Sequence, residues 1–363
     1  MSGVIRAVYE IRGDDPEARA TAVAVEQSHE LPTEYAPAQS LRSLGRVVAT
    51  EQSADGALRA TVEYPAELAG GELPQLLVHL MGNVSLQDGV RLVELELPER
   101  LGGAGPRLGA RGIRSITGVE ARPVLATALK PVGLDSAALA DLAYELAAGG
   151  IDLIKDDQGL ANQSWAPYRE RVERVADAVA AANADTGSHA VYLPVVNSPF
   201  ERFEDDLAFA ASLQVGGVML LPGVGGLDRL AFAGSILRHD QAILAHPSML
   251  GGFTASGTHG IAPELLLGSL LRLAGADAVI FPSFGGRFSL TEEQCRGIAD
   301  GLREPVAGLE PAMPAPGGGM SVARVQELID FYGPETILLI GTDLHRDGDL
   351  RAASAAFRAA VEG

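Results

Sequence analysis

"PVLATALKPVGLDSAALADLAYELAAGGIDLIKDDQG", residues 123–159, decides the fold. Two continuous apolar runs, "PVLATALK" and "IDLIKDD", flank the segment "DSAALADLAYELAAGG". That segment repeats its apolar residues at helical spacing behind an aspartate suited to cap it. Strands covered on both faces read as continuous runs rather than as an alternation. The stretch is therefore strand, helix, strand. The rhythm continues through "AVYLPVV", "GGVMLLP", "AILAHPS", "DAVIFPS", "PAMPAPGG" and "TILLIGT", with amphipathic segments such as "YRERVERVADAVAAANA", "TEEQCRGIADGL" and "SVARVQELIDFYG" between them. Eight such units over residues 113–363 predict an α/β fold, a (β/α)8 TIM barrel. A doubly wound sheet, the alternative, rarely gives eight units so even.

Outward from the barrel, residues 1–112 read as a smaller α+β unit of ferredoxin-like order. "GVIRAVYEI" alternates as a strand and "DPEARATAVAVEQS" follows as a helix. "GRVVATEQSADGALRATVEYP" is two strands about a turn, "LPQLLVHLMGN" a second helix and "VRLVELELP" a last strand. The glycine-rich "RLGGAGPRLGARG", residues 100–112, reads as the linker.

Composition narrows the function. The net charge is −19 and no basic stripe is present, which argues against a nucleic-acid partner. No apolar run approaches the roughly 18 residues of a membrane span, so no membrane partner is expected. The N-terminus lacks a signal-peptide pattern, and the single cysteine, Cys295, fits a reducing, cytoplasmic setting. A small anionic substrate remains compatible with an acidic chain, because a local site can still be positive.

The chemistry is written in lysine. Of 28 basic residues only Lys130 and Lys155 are lysines, and both fall at the ends of predicted strands, where barrel enzymes carry their reacting groups. Arginine does not deprotonate in a protein and forms neither a carbamate nor an imine in lysine's place. Alternation along the second strand puts Lys155 and Asp157 on one face and Asp156 outward or into the loop. A carbamate on Lys155 and the Asp157 carboxylate would suit a hard cation such as Mg²⁺. The plainer reading is that each lysine simply pairs with a barrel carboxylate.

"ATALKPVGL" (126–134) and "GGIDLIKDD" (149–157) resemble the first- and second-strand motifs of the RuBisCO large-subunit family, and "GNV" (82–84), "PAPGGGMSV" (314–322) and "LLIGTD" (338–343) extend the resemblance over nearly the whole chain. The resemblance implies Lys130 as the proton-shuttling lysine, Lys155 as the lysine carbamylated by CO₂ and Asp157 as a metal ligand. It implies Thr127 and His246 as substrate contacts. Gly318, Gly319 and Gly341 correspond to backbone phosphate-binding positions. Glu26 and Asn83 correspond to residues that reach a neighbouring active site across a homodimer. The departures are specific. Gln158 stands where the family has a second carboxylate ligand, Pro247 where it has a phosphate-binding arginine, Gly317 where it has a serine, and Arg287 where it has the mobile-loop lysine. They point to a RuBisCO-like protein of the form IV type that does not fix CO₂. The expected activity is Mg²⁺-dependent formation of an enediolate from a phosphorylated keto sugar or keto sugar acid. Enolisation or isomerisation and decarboxylation stand nearly level, with Arg287, a carboxylate partner by nature, favouring a sugar acid. A sugar-phosphate-binding scaffold and a residual carboxylase are the alternatives. His246 also fits an ordinary barrel-interior histidine, Arg287 a solvated loop residue, and the glycines at 317–319 a tight turn.

Overall fold

The computed structural model describes residues 3–98, 101–286, 288, 290–305, 308–346 and 348–363. The N-terminal unit has the expected order: β1 (Val4–Ile11), a helix Pro16–Glu26, β2 (Arg46–Gln52), β3 (Leu58–Pro65), a helix Leu73–Met81 and β4 (Val90–Glu96). β1 lies centrally, antiparallel to β3 and β4, with β2 outside β3. Strand alternation buries Ile5, Ala7, Tyr9 and Ile11 beneath the two helices. The Tyr9 hydroxyl donates to the Leu80 carbonyl at 2.9 Å, which keeps that buried oxygen satisfied.

The barrel consists of β5 (Val124–Leu129), β6 (Leu153–Asp156), β7 (Val191–Leu193), β8 (Gly217–Leu220), β9 (Ala242–Ala245), then, after the two-residue strand β10 (Gly260–Ile261), β11 (Ala278–Pro282), β12 (Met313–Gly317) and β13 (Ile337–Ile340). The eight are parallel in the order β7-β6-β5-β13-β12-β11-β9-β8, and a bridge between Val195 and Met219 closes the ring. Helices follow the strands as the periodicity predicts. Ser136–Ala148 is capped by Asp135, whose carboxylate accepts the Ala138 N–H at 2.8 Å. Glu292–Arg303 opens on a capping box of Thr291 and Gln294. The segment after β10 begins as a π-helix over Glu264–Leu270 before its last turn becomes α-helical, which sequence periodicity does not reveal. Among the described residues no helix is long and apolar enough to cross a membrane.

Two features depart from the expected picture. The glycine-rich stretch is built into the underside of the barrel. Asp277 accepts the N–H groups of Leu108 and Gly109 at 2.7 and 2.8 Å and that of Ile243 at 2.8 Å, and a helix Gly109–Thr117 begins there. The loop after β9 also returns to the N-terminal unit. β10 pairs parallel with β4, Ala262 N–H donates to the Leu92 carbonyl at 2.8 Å, and the His259 ring bonds the Gln87 carbonyl at 2.9 Å.

Asp156, expected to face outward or into the loop, does face outward, but into the layer between strands and helices, where it is fully buried. Its Oδ2 lies 3.2 Å from the guanidinium of Arg171, also fully buried, and accepts the Val195 N–H at 3.1 Å. Oδ1 accepts the Tyr192 hydroxyl at 2.7 Å. Arg171 in turn donates to the Ala161 and Ala166 carbonyls at 2.8 and 3.0 Å. Removing one partner strands a charge inside, at a cost of about 3–5 kcal/mol. Asp156→Ala is expected to lower the unfolding free energy by that order, read from the denaturant midpoint.

Candidate active site

The C-terminal ends of the strands open onto a cavity of about 1150 Å³, lined from the loops after β5, β6, β9, β11, β12 and β13. Lys130, Lys155, Gln158, His246, Gly318, Gly319 and Gly341 all line it, so the structure gathers these sequence-predicted positions in one place. Arg287 lies outside the described residues.

Lys155 is 2% exposed, and its Nζ donates to the Asp156 carbonyl at 3.1 Å. Burial pushes this amine down to about 8. The nearby charge of Lys130 adds to the effect, and Asp157 and Asp156 oppose it. Asp157, next on the same face, has Oδ2 2.9 Å from Lys130 Nζ, while Oδ1 accepts the Gly159 N–H at 3.0 Å. Burial alone would raise its pKa. Lys130 and the Gly159 N–H outweigh burial and hold the carboxyl below its usual range.

His246 sits at the end of β9 with Nδ1 accepting the Ser248 N–H at 3.2 Å, and the Ser248 hydroxyl lies 2.9 Å away. Burial, assisted by Lys155, pushes its pKa down to about 3. The ring is therefore neutral, and with Nδ1 accepting an amide its proton is on Nε2. It serves as a hydrogen-bond donor rather than a cation.

Across the mouth, Gly318 and Gly319 adopt φ of 81° and 75°, left-handed values that favour glycine. A Cβ on Gly319 would stand 2.9 Å from the Gly286 Cα, so the two loops meet backbone to backbone. Gly341 leaves open space where a side chain would be. Together these glycines form a backbone-lined cradle at the barrel mouth.

Three expected site residues do not line this cavity, two of them, Glu26 and Asn83, being expected at a neighbouring subunit's site. Thr127 does not reach the cavity. The alternation that puts Ala128 and Lys130 in the lining turns Thr127 to the other face of β5, where its hydroxyl donates to the Ile340 carbonyl at 2.8 Å. Glu26 and Asn83 bond each other at 2.8 Å on the exposed side of the N-terminal unit and do not line this chain's own cavity. Conversely, sequence reading passed over Met249, Leu290, Asp343 and Arg346, which do line it. Met249 carries a left-handed φ of 66°, an outlier for a non-glycine residue, and is 69% exposed. Met249, Leu290 and Arg346 have no motif of their own, and Asp343 closes the "LLIGTD" stretch without an expected role.

The metal question turns on oxygen donors. Among the described residues no cluster of three His, Cys, Asp or Glu is present. Asp157 Oδ2 is buried without an aligned hydrogen bond, although Lys130 pairs with it electrostatically. Asp157, the Gln158 amide oxygen and an oxygen-bearing adduct on Lys155 would form an all-oxygen set, which fits a hard cation.

The family described as "Ribulose bisphosphate carboxylase large chain, catalytic domain" matches residues 110–363. The chain belongs to the RuBisCO large-chain family. Ribulose bisphosphate carboxylase-like protein 1 of Rhodopseudomonas palustris is 40% identical over 99% of this chain and 98% of its own length. The 5-methylthioribulose-1-phosphate isomerase of Rhodospirillum rubrum is 37% identical over 100% of this chain and 97% of its own. The crystal structure of a Rubisco-like protein from Rhodopseudomonas palustris superposes with a TM-score of 0.88 at 37% identity, covering 100% of this chain and 98% of that one. Within the RuBisCO family, this member has both lysines in one cavity, with Asp157 paired to Lys130, and carries Gln158, Pro247 and Gly317 in the same lining.

Burial of His246 has a consequence for stability. Unfolding returns the ring to its ordinary value of 6.5, so the unfolded chain takes up a proton that the folded chain refuses down to about 3. Stability is expected to decline as pH falls from 6.5 toward 3. The slope should flatten in His246→Gln, measured by denaturant titrations at several pH values.

Proposed function

We propose that this protein is an enolising isomerase of a ketose monophosphate whose other end is apolar, in the manner of the 5-methylthioribulose-1-phosphate isomerase to which it is similar. The observation that carries the reading is the pairing of Lys130 with Asp157 close to Lys155, with both lysines lining a cavity that also holds a glycine cradle. Pro247, Met249 and Leu290 supply an apolar lining in the same cavity. Pro247 is one of the positions where the resemblance would ask for a phosphate-binding arginine, so one phosphate suits this site better than two. Decarboxylation of a keto sugar acid rests on Arg287, and the lining offers no other reason to prefer it.

Lys155 takes up CO₂ through its neutral amine and loses one proton, giving a carbamate. With Asp157 and Gln158 it would hold Mg²⁺, which when bound supplies Lewis-acid polarisation of the substrate carbonyl. Lys130, in its neutral form, removes the proton from the carbon beside that carbonyl and returns it to the former carbonyl carbon, while the hydroxyl proton passes to the former carbonyl oxygen, so the substrate goes through an enediolate and is isomerised without net redox change. Asp157 orients the Lys130 amine between the two transfers. His246 donates from Nε2 to a substrate oxygen. Gly318, Gly319 and Gly341 receive the phosphate through backbone N–H groups. Glu26 and Asn83 act in a homodimer, each completing the partner's mouth. The buried Cys295 suits a cytoplasmic enzyme.

Incubation with a ketose monophosphate in deuterated solvent is expected to place deuterium on the substrate carbons, with no CO₂ released. Lys130→Gln should lower kcat by about 10²–10⁴-fold. Exchange at the native rate in that variant would remove Lys130 from the mechanism. Mg²⁺ with bicarbonate should raise the melting temperature of the wild type and leave Lys155→Arg unchanged. Equal protection of both proteins would contradict the carbamate.

A further inference from the structure

We propose that Arg346 binds the substrate phosphate and that Asp343 positions it there. This rests on the phosphate cradle proposed above and adds a cation to it. Glycine N–H groups are neutral donors, whereas a phosphate monoester carries about two negative charges near neutral pH. A chain of net charge −19 gains little from its overall field in holding such a group, so the compensating charge has to be local. Among the described residues three basic side chains line the cavity: Lys130, Lys155 and Arg346. Lys130 commits its one nitrogen to Asp157 and Lys155 is buried behind it; Arg346 is also paired, with Asp343, but through Nε alone, which leaves its other two nitrogens for the phosphate.

Its position follows from one carboxylate. Asp343 Oδ1 lies 2.6 Å from Arg346 Nε, and Asp343 Oδ2 accepts the Val322 N–H at 3.3 Å. Val322 follows Gly319 closely in the loop after β12, and Arg346 follows Gly341 in the loop after β13. Asp343 therefore joins the two loops that carry the glycines, and the guanidinium is fastened at the joint. Held through Nε and 73% exposed, it lines the cavity, and its two terminal nitrogens make no hydrogen bond among the described residues. That planar fork matches a pair of phosphate oxygens.

A second arginine near the cradle shows the contrast. Arg324 bonds Glu327 at 2.8 and 2.9 Å and reaches the Phe284 and Gly319 carbonyls at 3.4 and 3.3 Å. It does not line the cavity. Arg324 braces the loop from outside the cavity, whereas Arg346 lines it.

Inorganic phosphate is the probe, with its dissociation constant measured by calorimetry on the full chain and its competition with a ketose monophosphate measured in the activity assay. Arg346→Gln is expected to weaken phosphate at least tenfold and to raise KM for the monophosphate far more than it lowers kcat. Arg346→Lys should recover part of the loss. Asp343→Asn should weaken phosphate less than Arg346→Gln does, and should add nothing in the Arg346→Gln background. Melting temperatures near the wild-type value would show that the folds are intact. If wild-type phosphate binding is competitive with substrate and Arg346→Gln leaves it unchanged, Arg346 has no such role while the cradle stands. If Asp343→Asn costs as much in the Arg346→Gln background as alone, its positioning role is overturned. If the wild-type chain binds no phosphate, the cradle falls, and the role of Arg346 with it.

Discussion

The active site depends on which way one strand faces. β6 is only four residues long, yet the site needs Lys155 and Asp157 both turned into the barrel. The buried pairing of Asp156 with Arg171, Tyr192 and the Val195 N–H secures this from the opposite side. A one-residue slip would place Asp156 in the mouth and both functional side chains among the helices, leaving Arg171 without its counter-charge. The ion pair adds little net stability over an apolar pair, and what it contributes is register. It also ties β6 to β7, to the helix Tyr168–Thr186 that carries Arg171 and, through Arg171, to the 161–166 loop, so the strand carrying Lys155 is held by three neighbours.

The barrel was readable because its signal is repetitive. Continuous apolar runs alternating with amphipathic segments need no knowledge of what lies far away in the chain. Lys130, Lys155 and Asp157 were readable for a similar reason: their place at strand ends is local, and a nearly lysine-free composition sets the two lysines apart. Thr127 shows where a motif misleads. Resemblance put it in contact with substrate, while the pleat of β5, fixed by Ala128 and Lys130 lining the cavity, turns it away. Asp156 reads as pointing outward or into the loop until Arg171, on the helix Tyr168–Thr186 that follows β6, is known to meet it. The pairing of β10 with β4 joins residues about 170 positions apart through two short segments, too few for any periodicity to report. Arg346 and Met249 belong to loops, where position is set by tertiary contacts rather than by pattern.

Charge is distributed economically across the mouth. Two lysines lie together, but burial weakens the positive character of one and Asp157 engages the other. His246, which in solution would titrate near neutrality, is kept as a neutral donor by the same burial. These ionisable groups thus gather at one end of the cavity, and glycine backbone lines the other.

The return of the β9 loop to the N-terminal sheet bears on how this chain could be divided or recombined. A cut in the glycine-rich stretch looks natural on the linear sequence, yet it would separate β4 from a strand that only the barrel supplies. The mouth loop that starts beside His246 would lose its anchor, and the sheet would gain a bare edge. A chimera that exchanges N-terminal units between relatives therefore inherits a mismatched seam unless residues 260–262 travel with the sheet they complete. The two units are contiguous in sequence but interlocked in space, and the piece that inherits as one is not the piece that is continuous.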